Sequence, residues 1–323
     1  MIVFQKLLAI LILFVSFGCN PKPESNQNIY IQFDSLTVMQ HLKTITKTEG
    51  FRNFSDTTTL NQTAEYIFSV FSQYADTVYY QEFQVYAYHG TSQLHSRTYK
   101  NVVCRLGSTS NKPLVVVGAH YDTVENTEGA DDNASGVVGL LELVRIFSKE
   151  KLNYPIEIVA YTLEENFLYT ENSGSFIHAK SLRDAGIPVY GMVVFEMIGY
   201  FDDKANSQSY PIKALKVIYG SKGNYILLAQ KYGAGTFARR FSGNFKRQAT
   251  IKTKSIKAPL KWGVNRSDHY NYWKFGYDAL MITNTANFRN PNYHKSSDTM
   301  ETLDIPEMMK VINATALAII NLK

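Results

Sequence analysis

Between residues 30 and 75 apolar side chains recur at three- and four-residue spacing, clearest over 36–45 and 64–71, which predicts helix. Two runs rich in Tyr, Val and Phe, 77–88 and 99–106, predict strands. From Leu114 the pattern changes: Val115, Val116 and Val117 form a continuous apolar run closed by Gly118 and Ala119, as a strand buried on both faces would. Residues 134–148 then carry Val137, Leu140, Leu141, Val144 and Phe147 on one helical face, and 155–161 reads as a second buried strand. The alternation continues with a helix over 175–185, strands over 190–195 and 215–219, and a helix over 225–241. An edge strand at 248–257 has lysines that discourage pairing with other chains, and an interior strand at 278–283 precedes a closing helix at 305–322. Strands alternating with helices of this length predict an α/β fold: a mixed, mostly parallel central sheet with helices on both faces.

The chain has 323 residues, 45% of them hydrophobic and 13% aromatic, which excludes wholesale disorder. The first residues read as an export signal, with Lys6, an apolar run over 7–17, and Gly18 before Cys19. That run is too short for a permanent membrane helix, which takes about 20 apolar residues. The expected organisation is a signal peptide at 1–18, a Pro-, Ser- and Asn-containing tether at 19–28, and one domain over 29–323, with no internal repeat or second apolar core. Ser16, Phe17, Gly18 and Cys19 resemble the lipobox of bacterial lipoproteins, which implies lipidation of Cys19 and a periplasmic or outer-membrane location; Ser16 stands where that box usually has leucine. Cys104 is then the one cysteine left, so no intrachain disulfide forms, and its place in an apolar run suits a buried thiol better than a nucleophile. The net charge of +5 is spread over short stretches such as Lys246, Arg247, Lys252, Lys254 and Lys257, which argues against nucleic acid; a positive balance suits acidic substrates or anionic membrane surfaces.

Several candidates for chemistry follow strands. His120 and Asp122 in GAHYDT lie on one side of a strand end, so a carboxylate can orient an imidazole that binds metal, although a structural His beside an Asp would look the same. In GADDNASG two adjacent acids repel unless a cation neutralises them, while the bland reading is a helix N-terminus capped by Asp and Asn. Glu164 and Glu165 close a buried strand at the functional edge of the sheet, where one can bind metal and the other face a reacting water. Glu196 ends another strand in VVFEMIGY, and His294 lies in NPNYHKSSDT. Together they make two histidines, three carboxylates and one free glutamate, a donor set suited to zinc, with an aspartate of the acidic loop available as a bridge.

The ordered set HYD, GADDNASG, LEE, EMIGY and YHKSSDT resembles the M28 family of co-catalytic zinc peptidases from about Leu36 onward. The resemblance implies two zinc ions: His120 and Glu196 on one, Glu165 and His294 on the other, Asp132 bridging, Asp122 supporting His120, and Glu164 as general base. It implies peptide substrates and aminopeptidase activity. Many family aminopeptidases have Asp where this chain has Glu196, which reaches the same place with one more methylene. The segments SDHYNYW and ANFRNPNYH resemble loops framing the site and offer His269, Arg289 and Tyr293 as substrate contacts. Arg289 could grip a substrate carboxylate bidentately or pair with a structural acid. Trp262, Trp273 and Phe288 suit core packing. Two other readings stand beside the peptidase: a glutaminyl cyclase with one zinc, and a binding protein that keeps the fold without the chemistry.

Overall fold

The computed structural model describes residues 34–88, 94–107 and 111–323; the segments expected to form a signal peptide and a tether, Cys19 among them, lie outside the described residues. Two helices come first, α1 (Ser35–Thr46) and α2 (Thr57–Phe71). Each begins on an aspartate: Asp34 accepts the Leu36 N–H and Asp56 the Thr59 N–H, both at 3.0 Å, which satisfies a donor the helix itself leaves open. A long hairpin follows, β1 (Thr77–Tyr88) and β2 (Leu94–Leu106), and then the alternating part, β3 (Leu114–His120), α3 (Ser135–Phe147), β4 (Ile156–Tyr161), α4 (Gly174–Asp184) and β5 (Val189–Glu196). The last third runs α5 (Leu215–Tyr219), β6 (Ile226–Lys231), α6 (Thr236–Gln248), β7 (Thr253–Ala258), α7 (His269–Lys274), β8 (Ala279–Thr283) and α8 (Ile305–Ile320).

All eight strands join one sheet in the order β1-β2-β4-β3-β5-β8-β6-β7. Its middle, β4-β3-β5-β8, is parallel, as connections through helices require. The flanks turn antiparallel at β2–β4 and β8–β6, and β7 closes the far edge parallel to β6. Every residue of β3 and β4 is buried, which accounts for runs such as Val115–Val117 that show no polar alternation. One face packs Val116, Val159, Met192 and Val194 against α4 and α7 through Leu182 and Tyr272. The opposite face meets α3 so closely that a Cβ on Gly139 would stand 2.8 Å from the Phe195 ring. Helices therefore cover both faces, and Cys104 is a buried, unpaired thiol in β2.

Two stretches depart from the pattern-based expectation. Residues 215–219 form the short helix α5 rather than a strand, with Val217 and Ile218 in solvent. The expected helix over 225–241 is a strand and a helix: β6 takes the apolar run from Ile226 and pairs with both β8 and β7. Gly233, at φ 73°, turns the chain before α6 begins at Thr236. The expected edge strand is β7, with Lys252 and Lys257 exposed beside it and in it.

Candidate metal centre

Because β3, β4, β5 and β8 run parallel, their carboxyl ends share one rim of the sheet. His120 ends β3 and pairs with Tyr161, the last residue of β4; Glu164 and Glu165 follow on the next turn. Glu196 ends β5 opposite Thr283, the end of β8. The loop between β8 and α8 brings His294 to the same rim in a left-handed conformation, φ 58°. Asp132 arrives from the turn between β3 and α3.

The structure brings these five side chains together around Asp132. One of its oxygens, Oδ1, lies 3.4 Å from His120 Nε2, and the other, Oδ2, 3.2 Å from His294 Nε2. His120 Nε2 also faces Glu196 Oε2 at 3.5 Å, and His294 Nε2 faces Glu165 Oε2 at 3.1 Å. Two donors bound to a tetrahedral zinc at about 2.0–2.1 Å stand roughly 3.3 Å apart, so the separations fit a pair of metal positions sharing one carboxylate. His120 Nδ1 donates to the Asp122 carbonyl at 3.0 Å, leaving Nε2 as a lone-pair donor toward the acids. Acids outnumber imidazoles in this cluster, so a cation is the partner its chemistry favours.

The electrostatics agree. Burial pushes the Glu164 carboxyl well above the ordinary range, with Glu196 and Glu165 adding repulsion against the pull of His120. Burial and Asp132 push Glu165 up to about 7. Asp132 falls to about 2 despite its burial, because His120 and His294 each stand beside one of its oxygens. His294 rises to about 10, its burial outweighed by Asp132 and Glu165.

The supporting residues are less legible from sequence. Asp122 acts mainly on the neighbouring turn: its carboxylate accepts the N–H groups of Glu164 and Glu165 at 3.1 and 3.2 Å, while it stands 3.6 Å from the His120 ring. Asp298 does the same for the acidic loop, accepting the N–H groups of Asp131 and Asp132 at 3.0 Å each. Asp131 turns away from His120 and accepts from Gly199, Tyr200, Asn284 and Asn290, tying three loops together. Asn133 donates to the Phe195 carbonyl and accepts from the Met197 N–H, which fixes the backbone on either side of Glu196. Ser267 donates to Glu196 Oε2 at 2.7 Å. Arg52, fully buried, spends its guanidinium on four carbonyls, those of Ile45, Tyr121, Glu128 and Gly129. Asp131 and Asp298 sit inside motifs already visible as GADDNASG and YHKSSDT; Arg52 carries no such signal, since its task is to satisfy carbonyls rather than to repeat a pattern.

Two expected substrate contacts lie elsewhere. Arg289 is buried: Nε donates to Gln208 Oε1, Nη1 donates to the Tyr225 carbonyl, the guanidinium lies 4.5 Å from the Tyr225 ring centre, and among the described residues it makes no ion pair with an acid. His269 is buried against Trp273 and donates Nε2–H to the Val264 carbonyl at 2.7 Å, and burial lowers its pKa to about 4. Tyr293 does stand at the site, stacked on the His294 ring at 3.7 Å between centroids.

Comparison with known proteins gives this rim a family. The chain is 34% identical over 289 residues to the uncharacterized protein YfbL of Escherichia coli (strain K12), covering 86% of this chain and 85% of that protein. It is 28% identical over 213 residues to a probable leucine aminopeptidase 1 of Trichophyton verrucosum, covering 61% of this chain and only 51% of the fungal protein, about half its length. Among solved structures, Legionella pneumophila LapA aligns with a TM-score of 0.67 at 24% identity over 88% of this chain and 72% of its own. A Bacteroides thetaiotaomicron glutaminyl cyclase aligns with a TM-score of 0.65 at 17% identity over 91% of this chain and 99% of its own. The family model for peptidase family M28 matches residues 101–319, a span that holds all five clustered side chains and Glu164, and the chain belongs to that family of hydrolases.

Proposed function

We propose that the chain is a co-catalytic di-zinc aminopeptidase that removes N-terminal residues from peptides. The observation that supports this most is the single Asp132 carboxylate reaching a different imidazole with each oxygen, His120 on one side and His294 on the other. His120 and Glu196 would hold one zinc, Glu165 and His294 the second, and Asp132 both. Zinc bound there supplies Lewis acidity, lowering the pKa of water from 15.7 toward about 7 and stabilising negative charge on a carbonyl oxygen.

The chain's own residues then divide the work. Of the adjacent glutamates, Glu165 is engaged with His294, whereas the Glu164 carboxylate has no hydrogen bond among the described residues. Its backbone is held by Asp122, and its side chain lies in the field of His120. Glu164 takes the proton of the attacking water and returns it to the leaving amine. An apolar cavity opens beside Glu196, lined by Leu227, Ile256, Trp262, Val264, Met281 and Phe288. Its apolar walls suit an aliphatic or aromatic side chain on the substrate's first residue.

A one-zinc glutaminyl cyclase is the second reading, because His120, Asp132 and Glu165 alone bring one donor each within 4.8 Å, enough for a single ion. Metal analysis of the purified chain, with a panel of aminoacyl chromogenic substrates assayed with and without chelator, separates the two. About two zinc ions per chain and chelator-sensitive release support the peptidase. One zinc, ammonia released from glutaminyl peptides and no peptide-bond hydrolysis would replace it with the cyclase; no metal and no reaction would leave a binding protein. We also propose export and lipid anchoring at Cys19; labelled fatty acid that is incorporated by the natural chain and lost in Cys19→Ser tests this, and equal incorporation would overturn it.

A further inference from the structure

Of the 33 Lys and Arg residues in the chain, 14 fall between residues 204 and 267, where there is no Asp or Glu at all. This stretch builds α5, β6, α6 and β7, so this edge of the sheet contributes cations and no acids, and the acids that stand at it, such as Asp202, Asp203, Asp304 and Glu307 near Lys252, come from neighbouring segments. The pieces meet at β7. Lys254 Nζ donates to the Tyr219 carbonyl, and the Tyr219 hydroxyl donates to the Ser255 carbonyl at 3.0 Å, which lays α5 against the edge strand. Lys246 of α6 reaches Ser255 Oγ at 2.6 Å from the other side. At the tip, Val217 is 90% and Ile218 72% exposed, with the exposed Lys213 and Lys216 beside them along the chain.

Lysines on an edge strand have an ordinary use, since they keep the open backbone of β7 from pairing with another chain. That does not account for the two aliphatic side chains, which are largely uncovered by the described residues and sit on a helix of one turn. Aliphatic tips flanked by lysines match an anionic lipid interface: the apolar groups enter the boundary between headgroups and acyl chains while the ammonium groups stay at the phosphates. Nucleic acid would use the same charge, but it gains from aromatic rings on which bases stack, and Val217 and Ile218 offer none. We propose that this face docks onto anionic lipid, with Val217 and Ile218 inserted and Lys213 and Lys216 on the headgroups. The inference is independent of the peptidase reading and of any lipid on Cys19. Since Leu215 and Tyr219 of α5 also line the cavity beside Glu196, docking would set that cavity next to the lipid surface.

The test uses the chain from residue 19 onward carrying Cys19→Ser, which lacks both the apolar run over 7–17 and the candidate acyl anchor. Its co-sedimentation is measured with vesicles of phosphatidylglycerol and phosphatidylethanolamine, and separately of phosphatidylcholine, at low and high salt. The expected result is at least about tenfold tighter partition onto the anionic vesicles, weakened by salt, since each basic residue near the surface contributes a several-fold factor. Val217→Ser with Ile218→Ser, and separately Lys213→Glu with Lys216→Glu, should each lower that partition by about tenfold or more while leaving the circular dichroism spectrum unchanged. Equal partition onto both vesicle types, no binding to either, or binding indifferent to the Val217 and Ile218 changes overturns the proposal. Salt-sensitive binding to a single-stranded oligonucleotide without vesicle binding would overturn it in favour of nucleic acid.

Discussion

Asp298 holds Asp132 from behind: its Oδ2 accepts the Asp132 N–H at 3.0 Å while its Oδ1 accepts that of Asp131. The carboxylate shared by the two histidines is thereby fixed through its own backbone by a residue that touches neither imidazole. Asp298→Ala should lower zinc affinity by about 10- to 100-fold, the usual cost of losing an outer-shell partner. Competition with a graded series of chelators checks this, and unchanged affinity would show that Asp132 needs no such support.

Glu164→Gln keeps the shape of the site and removes the proton carrier. Peptide hydrolysis should fall by about 10²- to 10⁴-fold with metal content unchanged. Loss of metal together with activity would instead make Glu164 a ligand.

Arg52→Met should destabilise the fold by about 3 kcal/mol or more, because four buried carbonyls lose a charged donor at once. Urea denaturation gives the number. A change below about 1 kcal/mol would mean that water replaces the guanidinium.

His269 gives stability a pH dependence with a definite sign. Its folded pKa is about 4, below the ordinary 6.5, because burial disfavours the charged ring. Between those values the unfolded chain binds more protons, so the contribution is complete above pH 6.5 and is lost as pH falls toward 4, on the order of 3 kcal/mol in all. His269→Gln, which can still donate to Val264, should flatten the dependence of urea stability on pH across that window. A variant with the same slope as the parent would assign the dependence to other groups.

How far the sequence could be read depended on what each segment does. The strands that carry the site were legible because β3, β4 and β5 are mostly apolar runs, with His120 and Glu196 ending β3 and β5 and Glu165 four residues past the end of β4. The segment 215–231 misled in both halves. Leu215–Tyr219 has a strand-like composition but too few partners to join the sheet, and β6 runs almost directly into α6, so its apolar run merged with the helical pattern beyond Gly233. Arg289 and His269 lie in loops that frame the rim, yet their polar atoms are used on the Tyr225 and Val264 carbonyls, a choice that only the folded path of those loops determines.

The five clustered side chains are unequally sheltered: His294 is 35% exposed, whereas His120, Asp132, Glu165 and Glu196 are at most 9% exposed. Traffic with the solvent therefore runs through one side. An ion held by His294 and Glu165 would equilibrate quickly with the medium and one held by His120 and Glu196 slowly, so dilution would empty the centre in two stages, the outer one first.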